Sequence, residues 1–160
     1  MTASSGLRIC FVCLGNICRS PAAAAVFAQQ AGTAGLPVTV DSAGTSRYHL
    51  GEPAHPNSRA EAARRGVAID HHRARQFTPD DFARFDLVVA MDGANERDLR
   101  QLAPNDGARE KIVLLRSFER PPTADLDVPD PWGLPPSAYV EMFDVVEAAC
   151  EGLVADVATR

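Results

Sequence analysis

The stretch Leu7-Arg8-Ile9-Cys10-Phe11-Val12-Cys13-Leu14-Gly15-Asn16-Ile17-Cys18-Arg19-Ser20-Pro21 decides how this chain folds. Leu7 to Cys13 is a short β-prone run, and Gly15 and Asn16 end it. Ser followed by Pro is a helix-start signal, because Pro is tolerated at a first helical position. Here Ser20-Pro21 opens an Ala-rich stretch that reaches Gly32. The order is strand, tight loop, helix, with Pro21 expected as the first helical residue.

Outward from that segment the pattern alternates. Residues 38–41, 86–91 and 111–115 are compact apolar runs, as expected of strands covered on both faces. Helical patterns fill the intervals at about 57–65, 79–83 and 95–102. From 136 to 158, apolar residues recur at near-helical spacing, at Val140, Phe143, Val146, Ala149, Leu153 and Val157. Such alternation implies right-handed crossovers. The expected fold class is α/β, a three-layer sandwich with a four-stranded parallel sheet flanked by helices. Ligands of such sheets bind beyond the carboxyl ends of the strands, where Cys13 lies. The irregular piece 119–136 holds six of the twelve prolines and is too long for a casual connection, so it reads as a functional loop.

The totals narrow the class. A chain of 160 residues fits one domain, with residues 1–6 expected to be flexible. At 46% hydrophobic and 23% charged it has the composition of a soluble globular protein, and no apolar run approaches a membrane span. Residues 1–6 lack the basic start and apolar middle of a secretory signal, so the default compartment is the cytoplasm, with export lacking such a signal left open. A net charge of -5 argues against nucleic acid as a partner. Positive charge is carried by 15 Arg and one Lys, so a buried anion site would be an Arg site. Four cysteines do not suggest a disulfide scaffold in a cytosolic chain.

Three of those cysteines, Cys10, Cys13 and Cys18, crowd into nine residues. A Cys six positions before an Arg is weak evidence by itself, with about 0.4 matches expected by chance, and a Ser directly after the Arg lowers this to ~0.02. The strand and helix on either side carry the rest. A phosphate group wants several convergent N–H donors and a bidentate cation. A loop entering a helix N-terminus supplies unpaired amides and the positive end of the dipole. The loop amides from Leu14, Gly15, Asn16, Ile17 and Cys18 to Ser20 are therefore candidates to bind phosphate, with Arg19 clamping two of its oxygens. The same field favours the thiolate of Cys13 as a nucleophile.

Residues 12–21 resemble the signature loop of the low-molecular-weight protein tyrosine phosphatases, and further matches run along most of the chain. The resemblance implies that Cys13 is the nucleophile, that Arg19 stabilises the transition state and that Ser20 hydrogen-bonds the thiolate. Asn16, Ser42 in Asp41-Ser42-Ala43-Gly44-Thr45 and His72 in His72-Arg73-Ala74-Arg75-Gln76 match the network that supports the loop. Asp130 in Val128-Pro129-Asp130-Pro131 matches the Asp-Pro loop of the family and would be the general acid, with Asp92 a supporting match and Asp125 and Asp127 as rivals. An acid is needed because phenolate leaves poorly at neutral pH. Tyr48 matches an aromatic wall of the substrate slot. Where the family usually has two tyrosines after Asp-Pro, this chain has Trp132 and Gly133, so one aromatic wall is kept as indole.

The resemblance further implies phosphotyrosine-containing proteins as partners and phosphate, vanadate or sulfate as site ligands. It implies no metal and no organic cofactor. Arsenate reduction, the first competing reading, needs relay cysteines, and residues 80–115 have none. Arginine phosphatases of the same family typically carry Thr where this chain has Ile17. A metal or dithiol site at Cys10 and Cys13 is disfavoured, because strand positions three apart face opposite sides. His49, His55, His71 and His72 read as solvated or structural residues. Cys18 is either a redox partner that protects Cys13 or a small buried filler.

Overall fold

Ile9 to Cys13 are five consecutive buried residues, which is what a strand flanked on both edges and covered on both faces requires. The computed structural model describes residues 6–160, so nearly all of the 1–6 segment expected to be flexible lies outside the described residues. β1 (Leu7–Cys13) pairs in parallel with β2 (Val38–Gly44) on one side and β3 (Leu87–Ala90) on the other. β4 (Ile112–Leu114) pairs in parallel with β3, giving the order β2-β1-β3-β4. The register runs from Leu7 opposite Val38 to Cys13 opposite Gly44, so both strands end together at the site.

Alternation along β1 divides the core. Ile9, Phe11 and Cys13 face a layer with α1 (Arg19–Thr33) and α6 (Pro136–Val157), represented by Phe27, Phe143 and Leu153. Cys10 and Val12 face Phe77, Phe82, Val88 and Leu99, a layer built by α3 (Asp81–Arg84), α4 (Gly93–Leu102) and α5 (Asp106–Arg109). The expected three layers and four parallel strands are therefore present.

Three local expectations are corrected. α1 starts at Arg19 with Cys18 as its N-cap, so Ser20 is not the cap and Pro21 is the third helical residue. Pro is harmless there because the first turn's N–H groups have no helical partner. α5 was not expected; Asn105 caps it through Oδ1, which accepts from the Ala108 amide at 2.8 Å. One turn is too short to leave a periodic pattern. The fourth strand stops at Leu114 and gives way to a tight turn, Leu115–Phe118.

That turn sits against α6 at Gly152. A Cβ at this position would lie 1.8 Å from the Phe118 carbonyl oxygen, so only glycine lets the helix approach so closely. The contact fixes where the irregular segment after residue 118 begins.

α2 (Pro56–Arg64) is tied to α6 through a carboxylate and an arginine. Glu61, 4% exposed, pairs with Arg64, and accepts from Arg65 Nε at 2.6 Å. Arg65 in turn donates to Asp144 and Glu147, both at 2.9 Å, and lies over the Phe143 ring. Burial works to raise the Glu61 carboxyl, but hydrogen bonds from Arg65 and Arg64 outweigh it and hold it below its ordinary 4.5. Such a group adds stability above its unfolded pKa and loses it as pH falls through the lower folded one. Glu61→Gln should cost about 1–2 kcal/mol in urea unfolding at pH 7. The gap should stay full above pH 4.5 and narrow with further acid; a gap unchanged at pH 3 would exclude an ionised Glu61 as its source.

Candidate active site

The loop between β1 and α1 is held open by one residue. Asn16 sits in the left-handed region at φ 58°, a conformation that Asn adopts more readily than most residues. Its backbone N–H donates to Cys13 Sγ at 3.3 Å, and its carbonyl accepts from His72 Nε2 at 2.6 Å. Its side-chain amide donates to Ser20 Oγ at 2.8 Å and to Ser42 Oγ at 3.0 Å, while Oδ1 accepts from the Arg75 amide at 3.0 Å. Ser20 Oγ lies 3.0 Å from Cys13 Sγ, and with Cys13 as thiolate the hydroxyl is the donor. The sequence-expected set Cys13, Asn16, Ser20, Ser42 and His72 is thus one connected network. Burial pushes the His72 ring below its ordinary pKa, with the Asn16 carbonyl pulling back. The neutral ring already meets that carbonyl, provided Nε2 carries the hydrogen.

Sequence reasoning missed what anchors the strap carrying His72. The Arg75 guanidinium donates to Asp81 at 3.1 Å and Asp41 at 3.0 Å. Asp81 is fully buried and also accepts from the Thr78 amide at 2.8 Å. Residues 75–77 clasp the end of β2 through Gly44 N–H to Arg75 O and Phe77 N–H to Gly44 O. The signal was a pair of charges six residues apart, which has no meaning until the strap is folded.

Arg19 is 3% exposed and lies under the loop. Its Nη1 donates to Asp92 at 2.6 Å and to the Val128 carbonyl at 3.2 Å, leaving Nη2 3.6 Å from Asp130 Oδ2. Burial opposes the charge of Arg19, but the negative charges of Cys13, Asp92 and Asp130 outweigh it and the net movement is upward. The other Asp92 oxygen caps α4 by accepting from Asn95 N–H at 2.8 Å.

The three candidate acids separate cleanly. Asp127 Oδ1 accepts from Gly93 N–H at 2.9 Å and so ties the loop to α4. Asp125 points outward at 72% exposure. Asp130, at 48%, borders a cavity of about 430 Å³ that neither of the others lines. Cys13 and Arg19 form the floor of that cavity, and Leu14, Ile17, Tyr48 and Trp132 its walls. His49 also lines it, with its ring centroid 6.5 Å from that of Trp132 and Nδ1 3.1 Å from Glu52. Only its place beside Tyr48 hinted at this. The arrangement can seat a tetrahedral anion at the loop and a flat ring above it, with a sulfur and a carboxyl group on hand.

Residues 8–160 match the family described as low molecular weight phosphotyrosine protein phosphatase. The chain belongs to that family. It is therefore an enzyme of the protein-tyrosine phosphatase class. It is 49% identical over 154 residues to a low molecular weight protein-tyrosine-phosphatase of Streptomyces coelicolor, covering 94% of this chain and 93% of that one. A crystal structure of the protein tyrosine phosphatase from Entamoeba histolytica, with Hepes in its active site, superposes with a TM-score of 0.90 at 34% identity, over 96% of this chain and 97% of that one. The YwlE arginine phosphatase of Bacillus subtilis, in a form with a phosphorylated active-site serine, gives 0.85 at 28% identity, over 95% and 96%.

Against this family background the remaining cysteines have distinct settings, all as free thiols. Cys18 lines the cavity but is 4% exposed, and its Sγ lies 3.7 Å from the Tyr139 hydroxyl. Burial pushes its thiol up to about 12, with the Tyr139 contact pulling back, so it stays protonated. Tyr139 is itself stacked on His55 at 5.0 Å. Cys10 faces the opposite side of the sheet, and Cys150 is buried in α6 with its Sγ 3.8 Å from the Ala23 carbonyl. Among the described residues no three His, Cys, Asp or Glu side chains gather as a metal site.

The Asn16 network predicts a separable result. Asn16→Gly keeps the left-handed backbone accessible while deleting three side-chain hydrogen bonds. Vanadate affinity should fall about tenfold or more, and stability by about 1–3 kcal/mol, measured by calorimetry and urea unfolding. Unchanged vanadate binding would mean that the backbone alone shapes the loop.

Proposed function

We propose that the chain hydrolyses phosphotyrosine in proteins in two steps, through a cysteinyl phosphate on Cys13 with Asp130 as general acid and then general base. The observation that carries this reading is the convergence of Cys13, Arg19 and Asp130 on one cavity. The phosphate would lie at the N-terminus of α1, held by the amides of residues 14–20 and by the free edge of Arg19. Asp92 and Val128 already fix the other edge of the guanidinium, so no reorganisation is needed at the moment of reaction.

In the first step the Cys13 sulfur attacks phosphorus, the bond from phosphorus to the phenol oxygen breaks, and Asp130 gives that oxygen its proton. The incoming phosphate takes over Nη2 of Arg19, which otherwise lies 3.6 Å from Asp130 Oδ2. In the second step Asp130 removes a proton from water as the water oxygen attacks phosphorus. The sulfur leaves as thiolate, stabilised by the Ser20 hydroxyl and the Asn16 amide. These steps call on no metal and no organic cofactor. Phosphate, vanadate and sulfate fit the same cradle as ligands.

The slot favours an aromatic ester. Tyr48 and Trp132 supply flat walls, and Ile17 adds an apolar side chain. A phenol ring buries apolar area there that the short side chain of phosphoserine does not reach. Phosphoarginine is the second reading, supported by the likeness to the YwlE arginine phosphatase and opposed by Ile17, which offers the guanidinium no hydrogen-bond acceptor.

Cys13→Ser should abolish turnover of an aryl phosphate. Asp130→Ala should lower it by roughly 10²- to 10⁴-fold while vanadate still binds. Near-normal turnover in Asp130→Ala would move the acid role to Asp127. Higher turnover of a phosphoarginine than of a phosphotyrosine peptide would reverse the assignment of substrate.

A further inference from the structure

Apart from Val140, the large apolar side chains that stand exposed among the described residues sit on three segments bordering the cavity. They are Leu14 on the phosphate loop, Tyr48 and Leu50 on a second segment, and Trp132 and Leu134 on a third. The second and third segments end in the same device. His49-Leu50-Gly51-Glu52 is closed by Glu52 N–H to His49 O at 2.9 Å, with Gly51 at φ 79°. Pro131-Trp132-Gly133-Leu134 is closed by Leu134 N–H to Pro131 O at 3.0 Å, with Gly133 at φ 81°. A glycine at positive φ in the third place of a turn lets the preceding side chain project outward. The turns meet across the mouth, where the rings of His49 and Trp132 come within 6.5 Å.

Leu50 and Leu134 are 49% and 53% exposed, and neither lines the cavity. A phosphotyrosine ring filling the slot therefore leaves both uncovered. Apolar side chains gathered at one rim mark a surface that something covers. The two turns border the mouth of the slot, so with a phosphotyrosine seated there the residues on either side of it are the parts of the substrate placed to meet Leu50 and Leu134. Glu52, 53% exposed beside His49, opposes acidic neighbours. Arg47 is the exposed cation on the Tyr48 segment and is the one group there that would favour them.

We infer that the rim made by Leu50 and Leu134 selects phosphotyrosine segments whose flanking residues are apolar rather than acidic. The inference rests on the proposed hydrolysis of phosphotyrosine. It is tested with the full chain, an aryl phosphate and three phosphotyrosine peptides carrying Leu, Ser or Glu on both sides of the phosphotyrosine. The parent enzyme should rank kcat/KM as Leu above Ser above Glu. The double variant Leu50→Ser, Leu134→Ser should lose about tenfold in kcat/KM on the Leu peptide, mainly through KM, as expected for removing two partly covered leucine contacts. Its aryl phosphate turnover should stay within about twofold of the parent, because neither side chain touches the cavity.

Equal kcat/KM on the three peptides, with normal aryl phosphate turnover, would overturn the inference and leave the catalytic reading standing. A preference for the Glu peptide that is lost in Arg47→Ala would also overturn it and assign the rim to that charge. A dimer seen by light scattering in the parent and abolished in the double variant, with peptide kinetics unchanged, would give the rim to a second copy of the chain instead. Absence of aryl phosphate turnover in the parent would bring down the catalytic reading first, and the inference with it.

Discussion

A buried residue in the left-handed region holds its place only when its polar groups are satisfied, and the loop between β1 and α1 depends on one such residue, Asn16. Its backbone turns the chain into the left-handed region, and its side chain joins the loop to Ser20, to β2 through Ser42, and to the strap at Arg75. With the His72 ring on its carbonyl, each polar group of this buried residue has a partner. The geometry demanded of Cys13 and Arg19 follows from that one saturated residue, because both flank the segment it holds.

The second organising theme is the arginine fork on a carboxylate of low exposure. Arg19 meets Asp92, Arg75 meets Asp81, and Arg65 meets Glu61. Arg19 with Asp92 joins the start of α1 to α4, Arg75 with Asp81 joins the strap to α3, and Arg65, held by Glu61 of α2, reaches Asp144 and Glu147 of α6. A planar fork suits this work better than an ammonium, since it can hold one partner on each edge. Arg65 does so with three carboxylates at once. The dominance of arginine in the composition thus finds structural use at three junctions, only one of which is the site.

Most of the architecture was legible because its signals are local. Short apolar runs separated by helical stretches suffice for a parallel sheet, and the Cys-to-Arg spacing set between strand and helix pointed to the loop that lines the cavity. Asp130 was legible through its prolines. What escaped was non-local. Asp127, a rival in the sequence, is captured by the Gly93 amide and kept off the cavity, and no local pattern shows that. Arg75 and Asp81 become partners only when the strap lies along β2, and His49 reaches the cavity only through the turn that ends at Glu52. The start of α1 was misplaced because Ser20, a good capping residue by type, spends its hydroxyl on the Cys13 sulfur instead.

Gly152 has a wider meaning for how this sequence can drift. Helix propensity favours nearly any other residue in the middle of α6, by roughly 0.5–1 kcal/mol for alanine, yet the Phe118 carbonyl leaves no room for even a methyl group. The segment that bears Asp130 departs from that carbonyl. A position that does not line the cavity therefore governs where the segment carrying Asp130 leaves its contact with α6, and a side chain placed there would act on the cavity through the Phe118 carbonyl rather than through the helix.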